Sequence, residues 1–350
     1  MTTRYDATQL QQFAQTILVA AGLDEAPACV VARTLLEGDL LGHDTHGLAL
    51  LAPYLAELAN KTMTASGTPR EIRSKPAAML WDGMRLPGPW LMNLALERML
   101  PAARELGLAS MVIRRSHHIA CLAVYLMRIA DAGMLGMIAC SDPNVASVAP
   151  FGGTRAVMTP NPMAIGFPTG NGPVLIDISA SITTNGMSNR KIAAGETFAE
   201  PWLLDASGRP SNDPAVLMQD PPGTILPLGG MGYGHKGFGL GLMVEALTAG
   251  LAGHGRADPH EGWGATVHIA IYDPDAFGGA RDFLRQMDWL VQACTGNPPI
   301  PGGPAVRMPG QGGMARRAAQ LAAGVALHPT IAPVLAPMCQ RYGMAFPAAL

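Results

Sequence analysis

The first 60 residues carry apolar positions at helical spacing. Phe13, Ile17, Leu18 and Ala21 lie on one side of a helix starting near Gln9, and Gly22 is placed to end it. A second helix is predicted from Ala26 to Asp39. A third has Leu50, Leu51, Tyr54, Leu55 and Leu58 on one face and tolerates Pro53 in its first turn. From about Thr64 the pattern changes to short β-like runs broken by Gly and Pro. Ala77–Trp81, Leu108–Ile113, Gly136–Cys140 and Val174–Ile178 read as strands, and Thr266–Tyr272 alternates as one. Val157–Pro168 reads as irregular to extended. Helices are predicted over Trp90–Leu106, Ala120–Ala132, Phe238–Leu251 and Ala280–Cys294, with Pro101 expected to kink or split the first. On Phe238–Leu251, the residues Leu240, Met243, Val244, Leu247 and Leu251 form one stripe. After a Pro/Gly tract, NPPIPGGPAVRMPGQGG, the tail is again helical.

Interleaved strands and helices predict an α/β protein whose helical lobe is built from both chain ends. The expected division is a helical lobe at residues 1–70, an α/β region at 71–304, and a helical segment at 305–350 that packs back on the first lobe. Hydrophobic residues make up 49% and charged residues 14% of the 350, enough for a large core and a lean towards an oligomer that hides part of its surface. A net charge of −2 without a basic stripe argues against nucleic acid and anionic membranes as partners. No apolar run predicts a membrane span, and MTTRYDATQL lacks the apolar core of a secretion signal. Cys29, Cys121, Cys140, Cys294 and Cys339 include no CxxC pair, so the expectation is a reduced, cytoplasmic protein.

Four stretches carry candidate chemistry. Gly232–Gly237 (GYGHKG) matches GxGxxG and is expected to open a helix, where Lys236 adds charge to an anion-favouring helix start. The preceding TILPLGGM is a poor match for the buried strand of a Rossmann unit. His117 and His118 sit where a strand gives way to a helix, and only one of two adjacent residues on extended chain can face a given pocket. Asp177 lies inside the apolar VLIDI, where a carboxylate must be paired, hydrogen-bonded or neutralised. It either caps a turn or orients a functional group. In GHDTHG, His43 and His46 have the spacing of a metal pair, but no HExxH accompanies them. The simpler expectation is that Asp44 or Thr45 caps the next helix. His46 would then sit in its first turn, near neutrality and able to exchange protons. Neither GxSxG nor a P-loop lysine motif occurs.

Taken in order, GHDTHG, RRSHHIA, SVAPFGG, NPMAIGFP, LIDISAS, DASGRPSNDPA, ILPLGG with HKGFGLGLMVEAL, and MPGQ resemble the malate/L-lactate dehydrogenase family of the sulfolactate- and ureidoglycolate-dehydrogenase type. The resemblance covers nearly the whole chain. It implies a non-Rossmann, sulfolactate-dehydrogenase-like fold with a mixed sheet, usually homodimeric. It also implies hydride exchange between NAD or NADP and C2 of a 2-hydroxy or 2-oxo acid, or of a cyclic imino acid. By the same resemblance His118 and His46 each match an assigned acid/base, and Asp177 a residue by the cofactor that can steer a histidine. Ser141, Asp177, Ile178, Ser179, Lys236 and Gln311 match cofactor-lining positions. Thr45, His46, Leu50 and Asn161 are expected around the substrate, and no metal is expected.

The chain departs from the family pattern at four places, two of them mild: Thr45 replaces the common serine, and MGYG before His235 looks like an insertion. Leu50 stands where the family usually has an arginine, suited to clamping a carboxylate, and Pro160 stands where it has a threonine. An altered substrate follows as an expectation, with Arg114, Arg115 or Arg155 as replacement cations. Two other readings stay open. One is a catalytically silent paralogue that binds a nucleotide or metabolite. The other is a metal-dependent hydrolase using His43, His46, His118 and Asp177.

Overall fold

The computed structural model describes residues 3–350. Helices α1 (Ala7–Ala20), α2 (Glu25–Leu41) and α3 (Leu51–Ala59) come first. Strands β1 (Arg70–Lys75) and β2 (Ala78–Asp82) lead through α4 (Gly88–Leu106) to β3 (Leu108–Ser116), α5 (Ala123–Asp131) and β4 (Leu135–Ser141). A hairpin of β5 (Pro162–Phe167) and β6 (Val174–Ser179) precedes α6 (Asn185–Ala194). Three short strands, β7 (Leu203–Leu204), β8 (Pro210–Ser211) and β9 (Thr224–Ile225), precede α7 (Gly230–Glu245). The chain closes with β10 (Ala265–Tyr272), α8 (Ala280–Thr295), α9 (Gln311–Ala323) and α10 (Ile331–Arg341).

Asp6 starts α1 by accepting a hydrogen bond from the Gln9 N–H at 2.8 Å, and Gly22, at φ +97°, lets the chain turn away after it. Leu10, Phe13, Ile17 and Leu18 of this helix are buried. They share one apolar core with Leu35 and Leu40 of α2, with Leu51, Tyr54 and Leu55 of α3, and with Val325, Leu327, Ile331 and Leu335 from the far end of the chain. The helical lobe is therefore made of both chain ends. Arg317 of α9 grips Glu37 of α2 at 2.7 and 2.8 Å, and Gln320 donates to the carbonyls of Asp39 and Leu40.

The main sheet has seven strands in the order β1-β2-β3-β10-β4-β5-β6. Only β2 and β3 pair in parallel; every other pair is antiparallel. This is a mixed sheet, unlike the mostly parallel doubly wound dinucleotide fold. Its central strand β10 is buried on both faces, where alternating exposure was expected. Val267, Ile269 and Ile271 enter the core beneath α4 and α5. On the other face Thr266 and His268 are buried as well, and His268 Nε2 lies 3.0 Å from Ser110 Oγ.

Two further expectations change. Helix α4 runs unbroken through Pro101. Pro101 and Glu97, whose carbonyl loses its donor, both lie on the solvent side, where water can satisfy that carbonyl. Helix α7 begins at Gly230, so GYGHKG is its first two turns and not a loop before it. The buried face of α7 is Gly230, Gly234, Gly237, Gly241 and Val244, while Met243 and Leu251 of the predicted stripe are exposed. A Cβ on Gly237 would lie 2.3 Å from the Leu228 nitrogen and 2.7 Å from the Ala180 carbonyl oxygen. These glycines allow close packing of the helix and do not form a phosphate cradle.

Candidate active site

Helix α2 ends at Gly42 in the left-handed conformation, and His46 N–H then donates to the His43 carbonyl at 2.8 Å. GHDTHG is therefore a tight turn, followed by a short 3-10 segment at Leu48–Leu50. The expected cap from Asp44 or Thr45 is not made. Asp39 makes it instead, accepting from the Leu48 N–H at 2.6 Å. Asp44 binds Arg190 of α6 at 2.8 Å, and Thr45 Oγ1 lies 2.8 Å from His46 Nδ1. The reason is position: residues 43–46 close the turn, and the helical segment starts only at Leu48.

Asp39 is 3% exposed, and burial pushes its carboxyl up to about 7, against the opposing Leu48 hydrogen bond. A Cβ on Gly47 would stand 2.4 Å from that carboxyl group. Gly47→Ala is expected to cost about 1–3 kcal/mol by overpacking, measured as a lower midpoint in urea unfolding. Unchanged stability would mean that the carboxyl moves aside freely.

Two histidines meet above this turn. The His46 and His118 rings stack with centroids 5.7 Å apart and planes inclined by 30°. His118 follows β3. Its Nδ1 accepts from the Ala120 N–H at 3.2 Å and lies 3.0 Å from Tyr54 Oη, which is also 2.9 Å from the His118 carbonyl oxygen. A backbone N–H can only donate, so Nδ1 is an acceptor and the neutral ring carries its proton on Nε2. Lost hydration holds His118 well below the usual histidine value, with His46 and His117 adding to the shift. Trp263 lies against its ring at 4.8 Å between centroids. His46 has no such lock, because the Thr45 hydroxyl can donate or accept. Burial lowers its pKa, Asp177 draws it back up, and His43 pushes it further down.

His117 was expected to face away, yet its ring lies against the same two aromatics, 5.0 Å from Trp263 and 5.7 Å from Tyr54 between centroids. It is fully buried, its Nε2 lies 3.2 Å from Glu57 Oε2, and burial lowers it to about 4. Asp177 accepts from the Ala123 N–H at 3.0 Å, at the start of α5, and from Cys121 Sγ at 3.7 Å. One ligand atom each of Asp177, Cys121 and His43 lies within 4.8 Å of the other two.

The positions expected around a cofactor are arranged along the outer strand β6 and the segments beside it. Ile178 is exposed there, and Ser179 Oγ donates to the Ser181 carbonyl. Leu175 N–H donates to the Pro309 carbonyl, which brings Gln311, the first residue of α9, beside the strand. A cleft of about 510 Å³ opens there, lined by Val174, Gln311 and Met314 among others. At the other end Ala180 packs on α7, where Lys236 lies in the second turn with its ammonium 5.3 Å from the Tyr233 ring centroid. Neither α7 nor α9 has a side-chain cap. The first N–H of each is already taken, Gly230 donating to the Pro227 carbonyl and Gln311 to the Met308 carbonyl, so only the next N–H groups of the first turn could meet an anion. Ser141 is buried, 2.8 Å from Thr248 Oγ1.

Among the positions expected around the substrate, Thr45 and His46 share the turn, and Leu50 is half-buried against the helical core. Asn161 is fully buried at φ +48°. It accepts from Thr159 and donates to the Gly241 carbonyl and to Glu245. Arg114 and Arg115 are held by Asp82, and Arg115 also by Glu261 at 2.8 Å. Arg155 is exposed. Two arginines reach the GHDTHG turn, neither singled out from the sequence: Arg190, paired with Asp44, and Arg316, whose guanidinium lies against Gly42. Tyr54 and Trp263 were likewise unmarked as site residues, and only Tyr54's place on an apolar stripe had drawn notice.

Comparison with known proteins agrees with this architecture. Residues 5–335 match the family model described as malate/L-lactate dehydrogenase. The chain is 29% identical over 349 residues to an L-lactate dehydrogenase of Cupriavidus necator, covering 98% of this chain and 99% of that one. It is 35% identical over 248 residues to a (2R)-3-sulfolactate dehydrogenase (NADP(+)) of Chromohalobacter salexigens, covering 69% and 71%. In fold it is similar to a malate dehydrogenase of Entamoeba histolytica, with a TM-score of 0.92 at 22% identity, covering 99% of this chain and all of the other. No helix among the described residues is long and apolar enough to cross a membrane. With a family model spanning nearly its full length and a mixed-sheet fold of the same type, the chain belongs to the malate/L-lactate dehydrogenase family of oxidoreductases.

Proposed function

We propose that this protein is an NAD(P)-dependent dehydrogenase acting at C2 of a 2-hydroxy or 2-oxo acid, or of a related cyclic imino acid. The observation that carries the reading is the stacked His46–His118 pair with its unequal hydrogen bonding. A bound nicotinamide supplies or takes up the hydride. In the oxidation direction His46 accepts the hydroxyl proton at Nε2, its Nδ1–H donating to Thr45 Oγ1. Asp177 favours the imidazolium that results. The Ala120 N–H occupies His118 Nδ1 and so places the ring proton on Nε2, which leaves this ring a neutral donor to the substrate oxygen. Burial keeps the Tyr54 phenol protonated and so able to donate to the His118 carbonyl.

The lowered His46 pKa sets the pH dependence. Oxidation needs the neutral ring, so its kcat/KM should be flat at neutral pH and fall about tenfold per pH unit once His46 protonates, below the ordinary histidine range. Reduction needs the imidazolium and should fall by the same factor per unit above that pKa. Paired forward and reverse pH profiles check this, and parallel profiles would contradict it.

Leu50 supports a substrate held differently from that of arginine-bearing relatives, since its side chain rests on the helical core. Leu50→Arg is expected to raise turnover of small 2-oxo acids, and no change would count against that view. Apolar exposure supports a homodimer. Helix α8 has no buried residue, and Trp289 on α8 and Tyr233 on α7 are 67% and 65% exposed. A turnover screen of 2-hydroxy acids, 2-oxo acids and cyclic imines with NAD and NADP tests the activity. Cofactor binding without any turnover would favour the silent paralogue.

A further inference from the structure

His43, Cys121 and Asp177 come from three separate elements: the turn after α2, the loop after β3, and strand β6. Their ligand atoms converge within 4.8 Å. Cys121 Sγ and Asp177 Oδ2 are 3.7 Å apart. Around a tetrahedral zinc ion, sulfur at about 2.3 Å and oxygen at about 2.0 Å stand roughly 3.5 Å from one another. That pair is thus already close to ligand spacing, with a His43 ring nitrogen no more than 4.8 Å from either atom. The His43 side chain makes no hydrogen bond among the described residues. Behind the thiol, Leu41, Ala123, Val124, Met127 and Met314 form an apolar wall that limits water access. One thiolate and one carboxylate neutralise a dication, which offsets the cost of placing it there.

We propose that His43, Cys121 and Asp177 form a binding site for a thiophilic divalent cation of the zinc class, with a fourth position open, and that its occupancy inhibits the enzyme. Binding makes three metal–ligand bonds and releases the Cys121 thiol proton to solvent; no electron is transferred. Inhibition follows from His43. Asp177 lies close enough to His43 for one cation to hold both, and the His43 carbonyl accepts the His46 N–H at 2.8 Å, so the cation ties down the turn that positions His46. The inhibitory half rests on the dehydrogenase reading, whereas the binding half does not.

The test uses the full chain, freed of metal by chelation and titrated with cobalt(II). One equivalent should give a thiolate-to-cobalt charge-transfer band. Both Cys121→Ser and His43→Gln should abolish it, the second at a half-buried turn position where packing is little disturbed. No band in the wild type, or a band that survives in either folded variant, overturns the site. Zinc should then inhibit wild-type turnover, with each variant compared against its own metal-free rate, and at least roughly 100-fold more zinc should be needed in the variants. Cobalt binding as described, with turnover indifferent to zinc, overturns the inhibitory role alone. Cobalt binding in a protein without turnover on any acid sinks the dehydrogenase reading and leaves the metal site standing.

Discussion

His46→Gln is expected to lower kcat/KM for the preferred hydroxy acid by about 10²–10⁴-fold, with cofactor affinity unchanged. Glutamine keeps a polar group beside Thr45 but can neither take nor give the substrate proton. It should therefore also abolish the histidine limb of the pH profile. His118→Asn should behave differently. It removes a hydrogen-bond donor to the substrate oxygen, a loss worth about 10²–10³-fold, and should retain the pH limb, because His118 does not titrate in turnover. The difference rests on one backbone bond, Ala120 N–H to His118 Nδ1, for which the Thr45–His46 contact has no equivalent. Steady-state kinetics across pH separates the two. A retained limb in His46→Gln and a lost one in His118→Asn would reverse the assignment.

The second large effect concerns stability. Asp39 has a carboxyl raised from 3.8 to about 7 in the folded protein. Its ionisation is favoured in the unfolded chain first, so the native state loses stability as pH rises from the unfolded value through about 7. The full loss is roughly 4 kcal/mol, and roughly 3 kcal/mol of it falls between about pH 5 and pH 8. His117 works in the opposite sense. Its pKa is depressed to about 4, so its contribution is complete above the unfolded histidine value and is lost on acidification, again by roughly 3 kcal/mol. His46 and His118 act in the same direction as His117. Below about pH 6.5 the histidines outweigh Asp39, so the intact protein should be weakest to acid.

The Asp39 contribution is isolated by comparison with Asp39→Asn, whose amide oxygen can still accept from Leu48. The stability difference between the two proteins, from denaturant unfolding, should shift by roughly 3 kcal/mol towards the asparagine variant from pH 5 to pH 8. A pH-independent difference would mean that this carboxyl ionises normally.

Much of this arrangement was legible because it is local. The apolar spacing of Phe13, Ile17 and Leu18 defines α1, and Tyr54 and Leu55 place α3 in the core. Adjacent His117 and His118 were expected to face different surroundings, yet both rings pack against Tyr54 and Trp263, because the chain leaves the strand after Ser116. What the sequence concealed depends on contacts between distant residues. Strand β10 alternates in hydrophobicity yet is buried on both faces, because it inserts between β3 and β4 and pairs Val267 with both Ile113 and Cys140. The glycines of α7 mimic a nucleotide loop, but their partners are Ala180 and Leu228. Asp39, in the apolar run LLEGDLLG, offered the usual signal of a buried carboxylate. Its role as the cap for Leu48 depends on a turn whose path the sequence does not specify. Arg190 and Cys121 carry no local signal at all, since neither lies in a spaced motif with the residues it meets.

Deuterium transfer addresses the central claim most directly. Reduced NAD and NADP labelled at nicotinamide C4 would be incubated with the protein and a panel of 2-oxo acids and cyclic imines, and the products read by mass spectrometry and NMR. The account predicts deuterium at C2 of at least one product, with formation of that product slowed by about 10²–10⁴-fold in His46→Gln. Label that stays on a cofactor shown by fluorescence to be bound, with every substrate tried, would contradict it.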